Sequence, residues 1–213
     1  MSGRGDIMRK TKRFVAVFVW YFLIQSPFLL FLLAVTCQPS HAIGQYGLDL
    51  QGQPVHQLAG PGIRVVVLIF AATDCPISNR YVPEIARLNR KFSAQGVRIW
   101  WVFPNPADTA GLIAQHNRDF AISEPTLLDK RQTLVHLARV SITPEAAVFK
   151  WDGTVLREVY RGRIDDRYLS LGQERPQPQH HDLEVAIASE LAGQPIPSPA
   201  GPPVGCSIDF TQE

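Results

Sequence analysis

An α/β domain built on a mixed β-sheet is the fold class this sequence predicts, on three observations. Apolar runs of strand length alternate with segments of helical period from Val65 onward, which points to strand–helix–strand connectivity. The first of those runs, Val65-Val66-Val67-Leu68-Ile69-Phe70, shows no polar alternation, as expected of a strand covered on both faces. Late in the chain Asp152-Gly153 stands between two apolar stretches, a hairpin signal that adds antiparallel strands to the parallel ones.

Taken in order, Gly44 to Leu58 mixes short apolar pieces with Gly47, Gly52 and Pro54, predicting an N-terminal hairpin. Residues 64–70 form the first central strand. Over 78–95 the apolar positions Tyr81, Val82, Ile85, Leu88 and Phe92 recur at helical spacing, and Gly96 ends the pattern. Residues 97–103 give a second strand, with Trp100 and Trp101 on opposite faces, stopped by Pro104-Asn105-Pro106. Asp108 is placed to cap a helix reaching about Phe120. A short strand over 126–128 and a helix over 132–139 precede the hairpin, whose arms are 145–151 and 154–160. Leu183 to Leu191 is the last helix, closed by Gly193. The stretch from Gln194 to Pro203 holds five prolines, so it is extended and reaches roughly 30 Å.

The first 42 residues read as a leader. Arg4, Arg9, Lys10, Lys12 and Arg13 precede an uncharged apolar stretch from Phe14 to Thr36, and Ser40-His41-Ala42 offers small residues for cleavage. That stretch exceeds the usual signal core and is about long enough to span a bilayer, so residues 14–36 are read as a cleaved signal peptide or a membrane anchor. Either places the rest outside the cytoplasm, in the periplasm or its equivalent. Five of the 21 Lys/Arg and one of the 19 Asp/Glu lie in the leader, so residues 43–213 carry 16 against 18 and a net charge of −2. Without a basic cluster, nucleic acid is excluded as the expected partner. The organisation that follows is a leader over 1–42, one domain over 43–193, and a proline-rich tail over 194–213 carrying Cys206.

Chemistry concentrates at Cys75. The buried strand ends in Ala71-Ala72-Thr73-Asp74-Cys75-Pro76, which delivers a thiol onto a helix start. Unpaired N–H groups and the positive end of the helix dipole favour thiolate there, and Pro76 suits a first helical position that needs no N–H. Only Cys75 and Cys206 survive removal of the leader, and an oxidising compartment allows them to pair.

The run Phe70-Ala71-Ala72-Thr73-Asp74-Cys75-Pro76-Ile77-Ser78, with Ile142-Thr143-Pro144 ahead of a strand, the Asp-Gly hairpin and Gly162, resembles the thioredoxin-like superfamily. Within it the likeness is to the redoxin branch of thiol-specific antioxidant, alkyl hydroperoxide reductase-like proteins, and covers residues 43–193. The resemblance implies a thioredoxin-like fold, a cis Pro144 packed beside Cys75, and a backbone at Thr143 that helps hold a substrate disulfide. It also marks departures. Ser78 stands where a dithiol reductase has its second cysteine, and its hydroxyl cannot close the internal disulfide that releases a mixed disulfide. Ile69 stands where many thioredoxins bury an acid. Thr73 lies two residues before the cysteine, whereas peroxiredoxins place a threonine three before.

Three functions follow as expectations. The leading one is a thiol oxidoreductase in which Cys75 attacks a protein disulfide or a peroxide, Cys206 resolves the product, and an external reductant resets the pair. The second is a copper or zinc carrier using Cys75, Cys206 and His180 or His181. The third is a non-catalytic module that holds a partner at the Pro144 groove, with an ordinary Cys75 pKa. The site residues expected are Cys75, Cys206, Thr143, Pro144, Ser78 and Arg80, the last offsetting the charge of Asp74. Asp165 and Asp166 read as surface ion-pair residues, and His116 and His136 as structural. With no glycine-rich phosphate loop or serine elbow, no organic cofactor is implied.

Overall fold

A computed structural model describes residues 44–210. The chain divides into two units, 1–42 and 43–213; the leader and its cleavage or anchoring fall outside the described residues. No helix among those described is long and apolar enough to cross a membrane.

Seven strands, numbered in chain order, form a mixed sheet. The hairpin β1 (Gly47–Leu48) and β2 (Pro54–Val55) lies at one edge, with β1 antiparallel to β5 (Thr126–Leu128). At the centre β3 (Val65–Phe70) runs parallel to β4 (Val97–Phe103), β4 runs parallel to β5, and β7 (Glu145–Trp151) is antiparallel to β3. The far edge is β8 (Leu156–Gly162), antiparallel to β7.

The apolar run of β3 is explained by burial on both faces. Val65, Val67 and Ile69 enter one core, and Val66, Leu68 and Phe70 enter the other, as the two-residue period of a strand requires. The first core is covered by helix α1 (Pro76–Phe92) through Val82, Ile85 and Leu88, and by α4 (Asp182–Ala192) through Leu183, Ala186 and Ile187. Helix α2 (Ala110–Asp119) adds Ile113 on the same side. The second is covered by α3 (Thr133–Ala138) through Leu134, Val135 and Ala138. Trp101 joins the first core and Trp100 the second, where its indole N–H donates to the Leu58 carbonyl at 2.9 Å.

Two expectations shift on physical grounds. Asp108 does not cap α2: Thr109 does, its hydroxyl accepting from the Leu112 amide at 3.2 Å, because Asp108 is turned inward to the turn before Cys75. The returning hairpin arm starts at Leu156 rather than Thr154, since Asp152 accepts from the amides of Thr154 and Val155 at 2.9 and 2.8 Å, an Asx turn that keeps both residues out of the ladder.

Two small sheets stand apart from the main one. The hairpin β9 (Tyr168–Ser170) and β10 (Gln173–Glu174) lies in the segment before α4. In the other, β11 (Cys206–Ser207) pairs antiparallel with β6 (Ile142–Thr143), Cys206 opposite Thr143. The tail thus returns across the domain to the loop before Glu145.

Candidate active site

Cys75 is the N-cap of α1, with extended backbone (φ −87°, ψ 109°), and Pro76 is the first helical residue. No acidic side chain lies in the first turn, so nothing there cancels the positive end of the helix dipole. The turn is anchored from below: Asp108 accepts from the Thr73 amide at 3.3 Å and from the Thr73 hydroxyl at 2.5 Å. Lys130 ties down the loop that carries Asp108, its ammonium donating to the carbonyls of Asn105, Pro106 and Asp108 at 3.3, 2.8 and 2.5 Å.

Of the expected site residues, the structure brings together Cys75, Ser78, Thr143, Pro144 and Cys206. The Cys75 thiol lies 3.2 Å from the Thr143 carbonyl oxygen, and the Thr143–Pro144 peptide is cis, as the resemblance implies. Cys206 places its sulfur 2.6 Å from that of Cys75, and both are free cysteines. Thr143 also donates its hydroxyl to the Cys206 carbonyl at 3.4 Å. Arg80 is not part of this group. It points to Glu174 of β10 at 3.6 Å, with its side chain 61% exposed, because its position on α1 turns it away from the N-terminus of the helix.

The two sulfurs sit in opposed electrostatic states. Burial works against ionisation of Cys75, yet donation from the Cys206 thiol and the nearness of the Ser78 amide and hydroxyl outweigh it and lower the Cys75 pKa. The Ser78 hydroxyl is buried and has no hydrogen-bond partner. Cys206 moves the other way, pushed up to about 12 by burial, by its bond to Cys75 and by the charges of Cys75 and Asp74. Asp108 is likewise raised, by burial first and by the charge of Asp74 in smaller part. The arrangement sets a thiol of lowered pKa beside a neighbouring thiol that donates to it.

Accessibility differs from expectation. The reading of the sequence supposes a sulfur open to substrate, whereas Cys75 is 0% exposed, covered in part by the tail strand. That strand is held by groups the sequence reading passed over. Ile208 is 3% exposed and belongs to the second core. Its amide donates to the Ser141 carbonyl at 3.0 Å. The Asp209 amide donates to Asn105 Oδ1 at 3.2 Å, and Gln132 Nε2 donates to the Asp209 carbonyl at 2.7 Å. The one local signal was the alternation of Val204, Cys206 and Ile208, which is a strand period.

Other candidates resolve into structure. Asp165 and Asp166 are buried rather than exposed: Asp165 accepts from the Tyr81 hydroxyl at 2.6 Å, and Asp166 from the amides of Gln179 and His180 at 2.6 and 2.9 Å while also forming the expected kind of ion pair, with Arg175 at 3.4 Å. They order the long segment between β8 and α4. His116 bonds Asn79 at 2.7 Å and packs on Phe103 and Phe120. His181 lies with Glu84 and Glu184, the one trio of potential metal ligands among the described residues, and both carboxylates are already paired with Arg87. Neither cysteine belongs to that trio, so the geometry does not assemble the copper or zinc set.

Comparison with known proteins places the scaffold. The AhpC/TSA family profile matches residues 42–160. An uncharacterized conserved protein from Geobacillus kaustophilus aligns at 22% identity and TM-score 0.66, over 79% of this chain and 92% of that one. A hypothetical protein from Sinorhizobium meliloti 1021 aligns at 19% identity and TM-score 0.65, over 78% and 90%. A secreted disulfide oxidoreductase of Mycobacterium tuberculosis aligns at 16% identity and TM-score 0.48, over 70% and 98%. A search of curated proteins finds no match.

Proposed function

This chain belongs to the AhpC/TSA family, in the redoxin branch of the thioredoxin-like superfamily, and we propose that it is an exported thiol–disulfide oxidoreductase working through Cys75 and Cys206. The observation that carries this reading is the 2.6 Å approach of the two sulfurs at a helix start, with the pKa of one lowered and that of the other raised. Cys75 is the nucleophile and Cys206 takes over the role that Ser78 cannot perform.

The Cys75 thiolate attacks one sulfur of a substrate disulfide, forming a mixed disulfide and expelling the other substrate sulfur as a thiolate, which takes up a proton. Cys206 then gives its proton to solvent and attacks the Cys75 sulfur. The Cys75–Cys206 disulfide forms, the second substrate thiolate leaves, and the substrate is reduced by two electrons while the pair is oxidised. An external dithiol reverses this on the enzyme. Ser78 and the helix amides stabilise the charge on Cys75 whenever it is a thiolate or a leaving group.

A disulfide is favoured over a peroxide because the Thr73 hydroxyl is committed to Asp108 at 2.5 Å. Export rests on the leader over 1–42, and the function of residues 43–193 as one redox domain with 194–213 as its cysteine-bearing tail is part of the same proposal. Incubating the Cys206→Ser variant with an oxidised model protein tests it: a mixed disulfide on Cys75 that persists, where the unaltered chain releases it, is expected. Release at the unaltered rate would contradict the role of Cys206.

A further inference from the structure

Cys75 has no exposed surface, yet exchange with any external disulfide requires sulfur-to-sulfur contact. The cover over it includes the segment that carries its partner thiol. That segment is lightly attached: β11 is two residues long and pairs only with β6, outside the seven-stranded sheet. Ile208 is its single buried apolar anchor, while Phe210 is 52% exposed. The approach is also sterically tight, because a Cβ at Gly205 would run into the Thr143 carbonyl oxygen; only glycine lets the tail come close enough to put Cys206 on Cys75.

We infer that residues 205–210 are a displaceable strap over Cys75, and that Gly205, Ile208 and Asn105 are its positioning residues. Docked, the strap holds Cys206 against Cys75 and shuts out large substrates. Released, it uncovers the nucleophile and the Ile142–Thr143 edge; re-docked, it delivers Cys206 for the resolving attack. Gly205 permits the close backbone approach, Ile208 fills its place in the second core, and Asn105 accepts from the Asp209 amide. Asn105 belongs to the same loop that Lys130 clamps and from which Asp108 holds Thr73, so one loop sets the position of both sulfurs. Opening of a locally held segment of this kind does not require unfolding of the domain.

The test uses the full chain with Cys37→Ala and Cys206→Ala, so that Cys75 is the sole thiol, and measures its reaction rate with a polyethylene-glycol maleimide and with iodoacetamide. Adding Gly205→Ala or Ile208→Ser should raise the maleimide rate by about tenfold or more, with Asn105→Ala smaller at roughly threefold, as expected for losing a packing contact against losing one hydrogen bond. Ile208→Val, which keeps the anchor, should stay within about twofold. Circular dichroism unchanged in these variants separates strap release from unfolding. Equal maleimide rates in the parent and in both Gly205→Ala and Ile208→Ser would overturn the strap. The redox reading fails separately: an ordinary thiol pH midpoint for Cys75 in the Cys37→Ala chain that keeps Cys206 argues against the nucleophile and leaves the strap untouched.

Discussion

The turn at Cys75 and the strap over it reach the same point in space by different physics. The turn is local: a fully buried strand, a proline at the first helical position and an inward Asp108 fix the cysteine at the helix start. The strap is non-local, joined to its site across 131 residues of sequence by a two-residue ladder, one buried isoleucine, the backbone bond from Ile208 to Ser141, and side-chain bonds from Thr143, Gln132 and Asn105. Rigid placement suits a nucleophile whose charge must be stabilised before substrate arrives. Light attachment suits a partner thiol that must leave and return.

The largest expected effect breaks the turn itself. Cys75→Ser should lower disulfide-exchange activity by about a thousandfold or more, because no other thiol in the domain has a lowered pKa. Activity within tenfold of the unaltered chain would remove Cys75 from the mechanism. Next, Cys206→Ser should leave the first attack intact and cut multiple turnover by about a hundredfold, with product stalled as mixed disulfide; single- and multiple-turnover assays separate the two steps.

Stability sharpens the contrast. Ile85 and Ile208 are both buried, at 0% and 3% exposure, but they belong to regions held differently. Ile85→Ala should cost about 2–5 kcal/mol in a chemical denaturation curve. Ile208→Ala should cost less than about 1 kcal/mol, since its loss can be met by undocking the strap rather than by leaving a cavity. Equal costs would mean that the strap is part of the cooperative core.

Much of this was legible in the sequence. The continuous apolar run from Val65 to Phe70 revealed a doubly covered strand, and Cys75-Pro76 revealed the helix start. Gly96 and Gly193 marked helix ends, where both adopt positive φ of 84° and 65°. What was not legible depended on distant partners. Asp108 has the sequence signature of a cap, but the buried Thr73 amide and hydroxyl compete for it. Asp165 and Asp166 look like surface acids, yet an irregular segment needs acceptors for buried amides, and they supply them. Arg80 is near Cys75 in sequence, and only the β9–β10 hairpin, itself absent from the sequence reading, gives it Glu174. The docking of Cys206 could be named as a reach but not as a register.

A subtler effect concerns pH. Because donation from Cys206 helps lower the Cys75 pKa, Cys206→Ala should move the midpoint of Cys75 alkylation upward, toward the ordinary thiol value of about 8.5. The sign follows from charge: removing a donor to the thiolate penalises the ionised form, so alkylation below pH 7 slows relative to its high-pH plateau. An unchanged or lowered midpoint would show that the Ser78 amide and hydroxyl and the helix terminus suffice alone. The smallest effect is expected at Thr109, whose loss as cap in Thr109→Ala should cost about 1 kcal/mol and leave the alkylation midpoint where it is.

The central claim is that the two sulfurs are a working pair. Mass-spectrometric peptide mapping of the unreduced full chain, after treatment with one equivalent of an oxidised dithiol, tests it most directly. The account predicts a peptide in which Cys75 is joined to Cys206. Recovery of Cys206 as a free thiol, with Cys75 unreacted or joined only to the reagent, would contradict it.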